Sequence, residues 1–335
     1  MAKPTRNDVA TKARVSGATV SRVLSAKDGY FVSEDIRLRV FAAAQELGYQ
    51  PNAAARALIS GRTQIIGLWM CLGYSRYRAQ VLDRMREILI RTDYAISVTD
   101  VEEDLFWRHS MARALRLPVD GIVAFDTPTA GDAFAQSGKN KGEGTAFVGM
   151  GAYWSEATSY VGVDLRSGAA EAMHHLISSG RRRIAYFYLP PADAVRKEAR
   201  LDAYVSVMEE AGLQPVLIPT GDLTFESASK SLRNYLQSEP LPDALFCFND
   251  DVALAAYWTL QNLGITVGTD IAIVGCDGID ELRHVAHPIS TVEQPISQMC
   301  SIAWDMLQAL IADPEAPIRQ TILKTKLIIR ESSRG

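Results

Sequence analysis

An apolar run of roughly 20 residues, the length needed to cross a bilayer, is nowhere found in this chain of 335 residues. The opening, Met1-Ala2-Lys3-Pro4-Thr5, lacks the apolar core of a secretion signal, so a cytoplasmic location is expected. Cysteine is scarce. Cys71, Cys247, Cys276 and Cys300 stand far apart in or beside apolar stretches, with no Cys-x-x-Cys pair, and read as reduced structural thiols. The histidines suggest no metal site; the adjacent His174 and His175 would face different sides of a helix. Catalytic signatures are missing too. There is no Gly-x-Ser-x-Gly, no phosphate-binding loop and no Gly-x-Gly-x-x-Gly after a strand. No catalytic residue, cofactor or metal is therefore expected; strand-end carboxylates such as Asp126 and Asp277 could serve as acid/base groups but more often hydrogen-bond polar ligands or cap helices.

What is present is a globular composition, 47% hydrophobic and 22% charged, on a chain too long for one ordinary core. The charge is unevenly spread. Residues 1–62 hold ten Lys and Arg against five Asp and Glu, whereas the remainder holds 25 basic and 34 acidic residues. A basic head on an acidic body suits a head that meets phosphate while the body stays clear of it.

Residues Thr5 to Leu24 read as two short helices joined by a tight turn. Thr5 and Asp8 are spaced to cap a first helix carrying Val9, Ala10 and Ala13 on one side, and Ser16 is placed to cap the second. Ser33, with Glu34 and Asp35 in the following turn, opens a third helix. Its inner stripe is Ile36, Val40, Ala43, Ala44 and Leu47, and it stops at Gly48. This is the layout of a helix-turn-helix DNA reader, the plainer alternative being a generic three-helix bundle. The small Gly17 and Ala18 allow close approach to a major-groove floor. Arg22, one turn beyond Ala18, is placed for a bidentate guanine contact, and Thr19 and Ser21 for phosphate. Next, Asn52 can cap and Gly61 can end a helix of about seven residues, too short to be stable without something packed against it.

From Ile65 apolar strands alternate with amphipathic helices. Strands are expected at 65–70, 94–98, 121–125, 146–150, 184–188, 216–218, 244–248 and 272–275, with helices such as 79–91, 167–179, 195–211 and 251–263 between them. Continuous apolar strands separated by helices imply parallel sheets covered on both faces. Their number implies two Rossmann-like lobes, with binding in the cleft at the strands' carboxyl ends.

Val15-Ser16-Gly17-Ala18-Thr19-Val20-Ser21-Arg22-Val23-Leu24 resembles the recognition helix of lactose-repressor-type (LacI/GalR) transcription regulators. The likeness continues in order through Val32-Ser33-Glu34, Glu46-Leu47-Gly48-Tyr49-Gln50-Pro51-Asn52, Ala55-Arg56-Ala57-Leu58, Gly61-Arg62-Thr63 and Val119-Asp120-Gly121-Ile122. It then runs through Gly162-Val163-Asp164, Arg200-Leu201-Asp202-Ala203-Tyr204, Phe246-Cys247-Phe248-Asn249-Asp250, Val274-Gly275-Cys276-Asp277, Ser290-Thr291-Val292-Glu293-Gln294-Pro295-Ile296 and Arg330-Glu331-Ser332.

The resemblance implies an α/β protein with a three-helix head at 1–50, a hinge helix at 51–62 and a two-lobed, periplasmic-binding-protein-like body at 63–335. Lobe one would take about 63–162 and 292–324, and lobe two about 163–291 and 325–335. It further implies a homodimeric regulator, most often a repressor, whose heads hold a near-palindromic double-stranded operator. Thr5, Ser16, Gly17, Ala18, Thr19, Ser21 and Arg22 would face DNA together with Asn52, Ala55, Arg56 and Leu58, the last wedging between central base pairs and kinking them. A small-molecule effector, expected to be a sugar or sugar derivative, would meet Asp126, Asp164, Arg200, Asn249 and Asp277.

Two places depart from the family pattern. Ser75-Arg76-Tyr77-Arg78 replaces a common Asn-Pro-Phe-Phe and puts Tyr77 and Arg78 at the cleft, while Leu223 stands where some relatives carry a stacking aromatic. Extra arginine there suggests an acidic or phosphorylated sugar, or else arginines on the outer rim. No heptad tail follows Arg330, so a dimer is expected rather than a tetramer. The alternatives are a sugar-binding receptor without DNA function, which would call for a signal peptide and no basic head, and an enzyme on the same two lobes.

Overall fold

A computed structural model describes residues 4–24, 32–50, 57, 60–71, 73, 75–101, 107–138, 145–190 and 198–334. The chain divides into two compact units, Met1–Gln64 and Ile65–Gly335.

In the first unit α1 (Arg6–Ala13), α2 (Gly17–Leu24) and α3 (Glu34–Leu47) follow the expected punctuation. Thr5 and Asp8 form a reciprocal capping box at α1. The turn is made by Arg14, which adopts the left-handed conformation at φ 55° and donates its N–H to Ala10 O and Thr11 O. Ser16 Oγ accepts from Thr19 N at 3.1 Å and so opens α2. Gly48 ends α3 at φ 63°, a conformation that costs glycine no Cβ clash. Ser33 sits at the start of α3 but caps no backbone N–H with its side chain; Glu34 and Asp35 in the first turn supply the favourable charge instead. Val9, Ala10, Ala13, Val20, Val23, Val40, Ala43 and Ala44 form one small core, flanked by Ile36, Leu24 and Leu47.

The second unit holds two six-stranded sheets. The first contains β1 (Ile65–Met70), β2 (Ala95–Asp100), β3 (Gly121–Phe125), β4 (Ala146–Gly151), β5 (Ser159–Asp164) and β11 (Gln320–Lys324), in the order β11-β5-β4-β3-β1-β2. All its pairings are parallel. The helices α4 (Arg76–Leu89), α5 (Trp107–Ala114), α6 (Ala130–Gln136) and α11 (Ile296–Ala312) belong with it. The second sheet contains β6 (Ile184–Tyr188), β7 (Val216–Pro219), β8 (Ala244–Cys247), β9 (Ala272–Asp277), β10 (Ser290–Glu293) and β12 (Lys326–Ile328), ordered β12-β10-β9-β8-β6-β7. It is parallel except where β12 runs antiparallel to β10. Its helices are α7 (Leu165–Ser178), α8 (Ala199–Glu210), α9 (Phe225–Ser238) and α10 (Asp250–Asn262). Strands β1, β3, β4, β8 and β9 are buried nearly throughout, as a sheet covered on both faces requires.

The strands expected from sequence are all present, but β5, β10, β11 and β12 were not among them. β5 interrupts its apolar run with Gly162 and a closing Asp164. β10 spans only four residues, and β11 and β12 are edge strands with exposed polar faces.

The chain passes between the sheets after β5, after β10 and between β11 and β12. These passages meet at Gly168. A Cβ there would lie 2.6 Å from Val292 Cγ1 and closer still to Thr325 Oγ1, while Thr325 Oγ1 donates to Asp164 O at 3.0 Å. Cys247, Cys276 and Cys300 are buried, Cys71 is half-buried, and all four are free thiols. No helix among the described residues is long and apolar enough to cross a membrane, and no described group of His, Cys, Asp or Glu is arranged to hold a metal.

Candidate functional site

Two regions carry the expected site residues. On the head, Ala18 and Arg22 lie on the exposed face of α2, four residues apart and hence on one side of the helix. Ser16 is exposed, with its Oγ hydrogen-bonded to Thr19 Oγ at 2.9 Å. Ser21 Oγ accepts from Arg6 Nη1 at 3.4 Å. Gly17 turns its bare side to Arg6, whose Nε would stand 3.3 Å from a Cβ added there. Thr5 is exposed and engaged with Asp8, its Oγ1 donating to Oδ2 at 2.8 Å. Asn52, Ala55, Arg56 and Leu58 lie outside the described residues. Ala57 is helical, and Gly61, at φ 68°, donates its N–H to Ala57 O at 2.8 Å, the helix-ending geometry expected of that glycine.

The other region is the polar cluster beyond the carboxyl ends of β3, β8 and β9, to which the first sheet's side contributes Tyr77 and Asp126. Tyr77, buried in the first turn of α4, donates its hydroxyl to Gln294 Oε1 at 2.8 Å. Gln294 Nε2 donates to Asp277 Oδ1 at 2.8 Å, so one amide links the first lobe to the end of β9. Asp126, just after β3, adopts φ 48° and takes the Ala152 N–H on Oδ1 at 2.6 Å. Gly151 beside it has no room for a side chain, since a Cβ would fall 3.0 Å from Asp126 Cγ.

From the second sheet's side Arg200, buried in the first turn of α8, bonds Glu198 and the Phe248 carbonyl. Asn249 is buried and caps α10, with Oδ1 accepting from Val252 N at 2.9 Å. Beneath these, the fully buried Asp250 takes the N–H groups of Gly278 at 2.6 Å and Ile279 at 2.9 Å on Oδ2, and the Thr291 hydroxyl at 2.7 Å on Oδ1.

Burial dominates the electrostatics. It pushes Asp277 well above its ordinary range, and the neighbouring Asp250 and Asp126 push it further. Burial likewise raises Asp250 to about 7 against the pull of its hydrogen bonds. The Tyr77 hydroxyl is held protonated by burial, then by Asp126 and Asp277.

Tyr77, Asp126, Arg200, Asn249 and Asp277 thus gather around the strand ends. Asp164 stands at the first passage between sheets, where it caps α7 by accepting from Ser167 N at 2.9 Å. Leu223 is half-buried in the turn before α9 and packs against the large core. Arg78 is half-buried and donates to Gly73 O at 3.3 Å. Its neighbour Arg76 bridges the lobes, with Nη1 on Asp251 Oδ1 and Nε 3.5 Å from Glu281 Oε1.

Sequence reading missed Glu198, Gln294, Asp250 and the Arg76–Asp251 bridge. Asp250 and Gln294 lie inside quoted motifs, so a signal existed. Glu198 stands just before one and had none.

The family described as bacterial regulatory proteins, lacI family, matches residues 5–52, and the periplasmic binding protein-like domain matches residues 173–333. An HTH-type transcriptional repressor PurR of Aliivibrio salmonicida is 31% identical over 331 residues, covering 98% of each chain. The solved complex of the transcriptional regulator CelR with cellobiose is 27% identical, with a TM-score of 0.67 over 98% of this chain and 99% of that one. The Lac repressor dimer bound to operator and the anti-inducer ONPF shares the fold at a TM-score of 0.80 and 23% identity, over 99% of both chains. Its head, its two sheets and its nearly end-to-end likeness to a PurR repressor agree: this chain belongs to the lacI family of bacterial regulatory proteins.

Proposed function

We propose that this chain is an operator-binding transcriptional repressor whose DNA affinity is set by a small polar effector held between its lobes. The carrying observation is the Tyr77–Gln294–Asp277 chain, which ties one lobe to the strand ends of the other around Asp126 and Arg200. A ligand seated there changes the relation of the lobes only by binding one arrangement better, with coupling typically of order 1–3 kcal/mol. A carbohydrate fits the mix of carboxylate, amide and guanidinium groups, and the CelR relative is solved with cellobiose.

In this reading residues 1–50 form the head, 51–62 the hinge and the remainder the effector-binding and dimerisation body. The protein acts as a homodimer at a near-palindromic operator in the cytoplasm, associated with the nucleoid, and catalyses nothing. Support for the dimer comes from the Lac repressor dimer, which shares the fold.

Thermal-shift screening of the whole chain against sugars and nucleotides, followed by operator binding with and without each hit, tests the proposal. A ligand that binds without altering operator affinity sinks it. In the same assay Arg22→Ala should weaken binding by roughly 1–3 kcal/mol and relax preference at one base pair per half-site. Equal losses on every sequence would make Arg22 a phosphate anchor. Leu58→Ala should weaken operator binding and reduce the bend seen by circular-permutation gel shift, whereas an unchanged bend rejects the wedge.

A further inference from the structure

The charge of Arg200 is already committed. Its Nε donates to Glu198 Oε1 at 2.6 Å and its Nη1 to Phe248 O at 2.6 Å, with the guanidinium carbon 3.9 Å over the Phe248 ring centre. Glu198 is saturated in turn. Oε1 also takes the Arg200 N–H at 3.1 Å, while Oε2 takes the Tyr186 hydroxyl at 2.7 Å and the Leu201 N–H at 2.8 Å. The two side chains are 6% and 9% exposed, so water screens the pair little. Burial works to raise the Glu198 pKa, but Arg200 and these hydrogen bonds bring it below the ordinary carboxylate value.

A guanidinium recognises a carboxylate or phosphate with two parallel N–H bonds and a net positive charge. Arg200 offers a ligand neither: the pair is neutral, and only the Nη2 edge carries none of these bonds. The opposite wall brings Asp126 near enough to Asp277 and Tyr77 to raise both, a field that repels a second anion. Arg76 is tied to Asp251 and Glu281, and Arg78 lends a nitrogen to the Gly73 carbonyl.

We infer that the cleft takes uncharged or amine-bearing polar molecules and rejects carboxylate- and phosphate-bearing ones, with Glu198 setting the choice by occupying Arg200. This rests on the reading of the cleft as the effector site. It runs against the acidic-sugar expectation raised by the arginines at 75–78, because in the structure those arginines face acids and carbonyls of the protein itself.

Calorimetric titration of the full chain with glucose, glucosamine and glucuronate, and with ribose and ribose 5-phosphate, isolates ligand charge. The anionic member of each set should bind at least about tenfold more weakly than its neutral counterpart. Equal or tighter anion binding overturns the inference. A second arm needs no cognate sugar: inorganic phosphate is titrated into the wild-type chain and into Glu198→Gln, an isosteric change that removes one charge. The head is common to both chains, so the difference between them reads the cleft. Glu198→Gln should gain about tenfold or more in phosphate affinity, and no gain overturns the inference. Absence of sugar binding together with that gain would mean that the carbohydrate reading has failed while the charge assignment stands.

Discussion

Glu198→Ala is expected to destabilise the folded chain by about 3–5 kcal/mol, the usual result of removing one partner of a buried ion pair. The loss follows from what remains. Arg200 stays buried with its charge uncompensated, and the Tyr186 hydroxyl and the Leu201 N–H lose their shared acceptor. Each such orphaned donor costs roughly 1–3 kcal/mol when water cannot replace the partner. Urea denaturation of the two chains measures the difference. A loss below about 1 kcal/mol would show that water reaches the pair, contrary to its burial. Replacing both residues with apolar ones should restore part of the loss, since the stranded charge is then gone as well.

Stability should also fall as pH rises from 5 to 8, against the common trend for proteins held by ionised carboxylates. Asp250 rises from an ordinary 3.8 to about 7 through burial, and Asp277 rises by burial and by facing Asp250. Between the unfolded and folded values the native state holds more protons than the unfolded chain. Stability is therefore full below the unfolded pKa and is lost as pH climbs through the folded one. Arg330 draws Asp250 the other way without cancelling the rise. Glu198, shifted below 4.5, contributes a constant amount across this window. At about 1.4 kcal/mol per pKa unit the expected fall is on the order of 2–4 kcal/mol. Denaturation midpoints at pH 5 and pH 8 check it, and Asp250→Asn should flatten the profile. A wild-type chain that gains stability with rising pH contradicts the assignment.

Much of the head was legible because its signals are local. Thr5, Asp8, Ser16 and Gly48 act on backbone groups within a few residues of themselves, so spacing alone places the helices. The buried strands were legible for a similar reason, each being a short continuous apolar run between helices. The cleft was only half legible. Asp277 could be named as a carboxylate at a strand end, and Arg200 only through the family resemblance. That Gln294 joins Asp277 to Tyr77, 217 positions away in sequence, is tertiary information. Glu198 illustrates the limit most clearly. An acidic residue two positions before an arginine is ordinary surface sequence until the fold buries both. Gly17 adds a neighbour that spacing does not reveal. Its smallness is plain in the sequence, whereas the Arg6 side chain standing 3.3 Å from an added Cβ, eleven positions away, is tertiary information.

The passages between the sheets, converging on Gly168, also bear on how the protein is made. The DNA-reading head closes its core with Leu47 and Tyr49, whereas the first sheet lacks an edge strand until residues 320–324 have been synthesised. On the ribosome the head is therefore finished early, while the effector-sensing body can be completed only near the end of translation. Chains cut short before Gln320 would leave β5 as an open edge, prone to pair with other chains. Such fragments would carry a folded head that no effector can instruct.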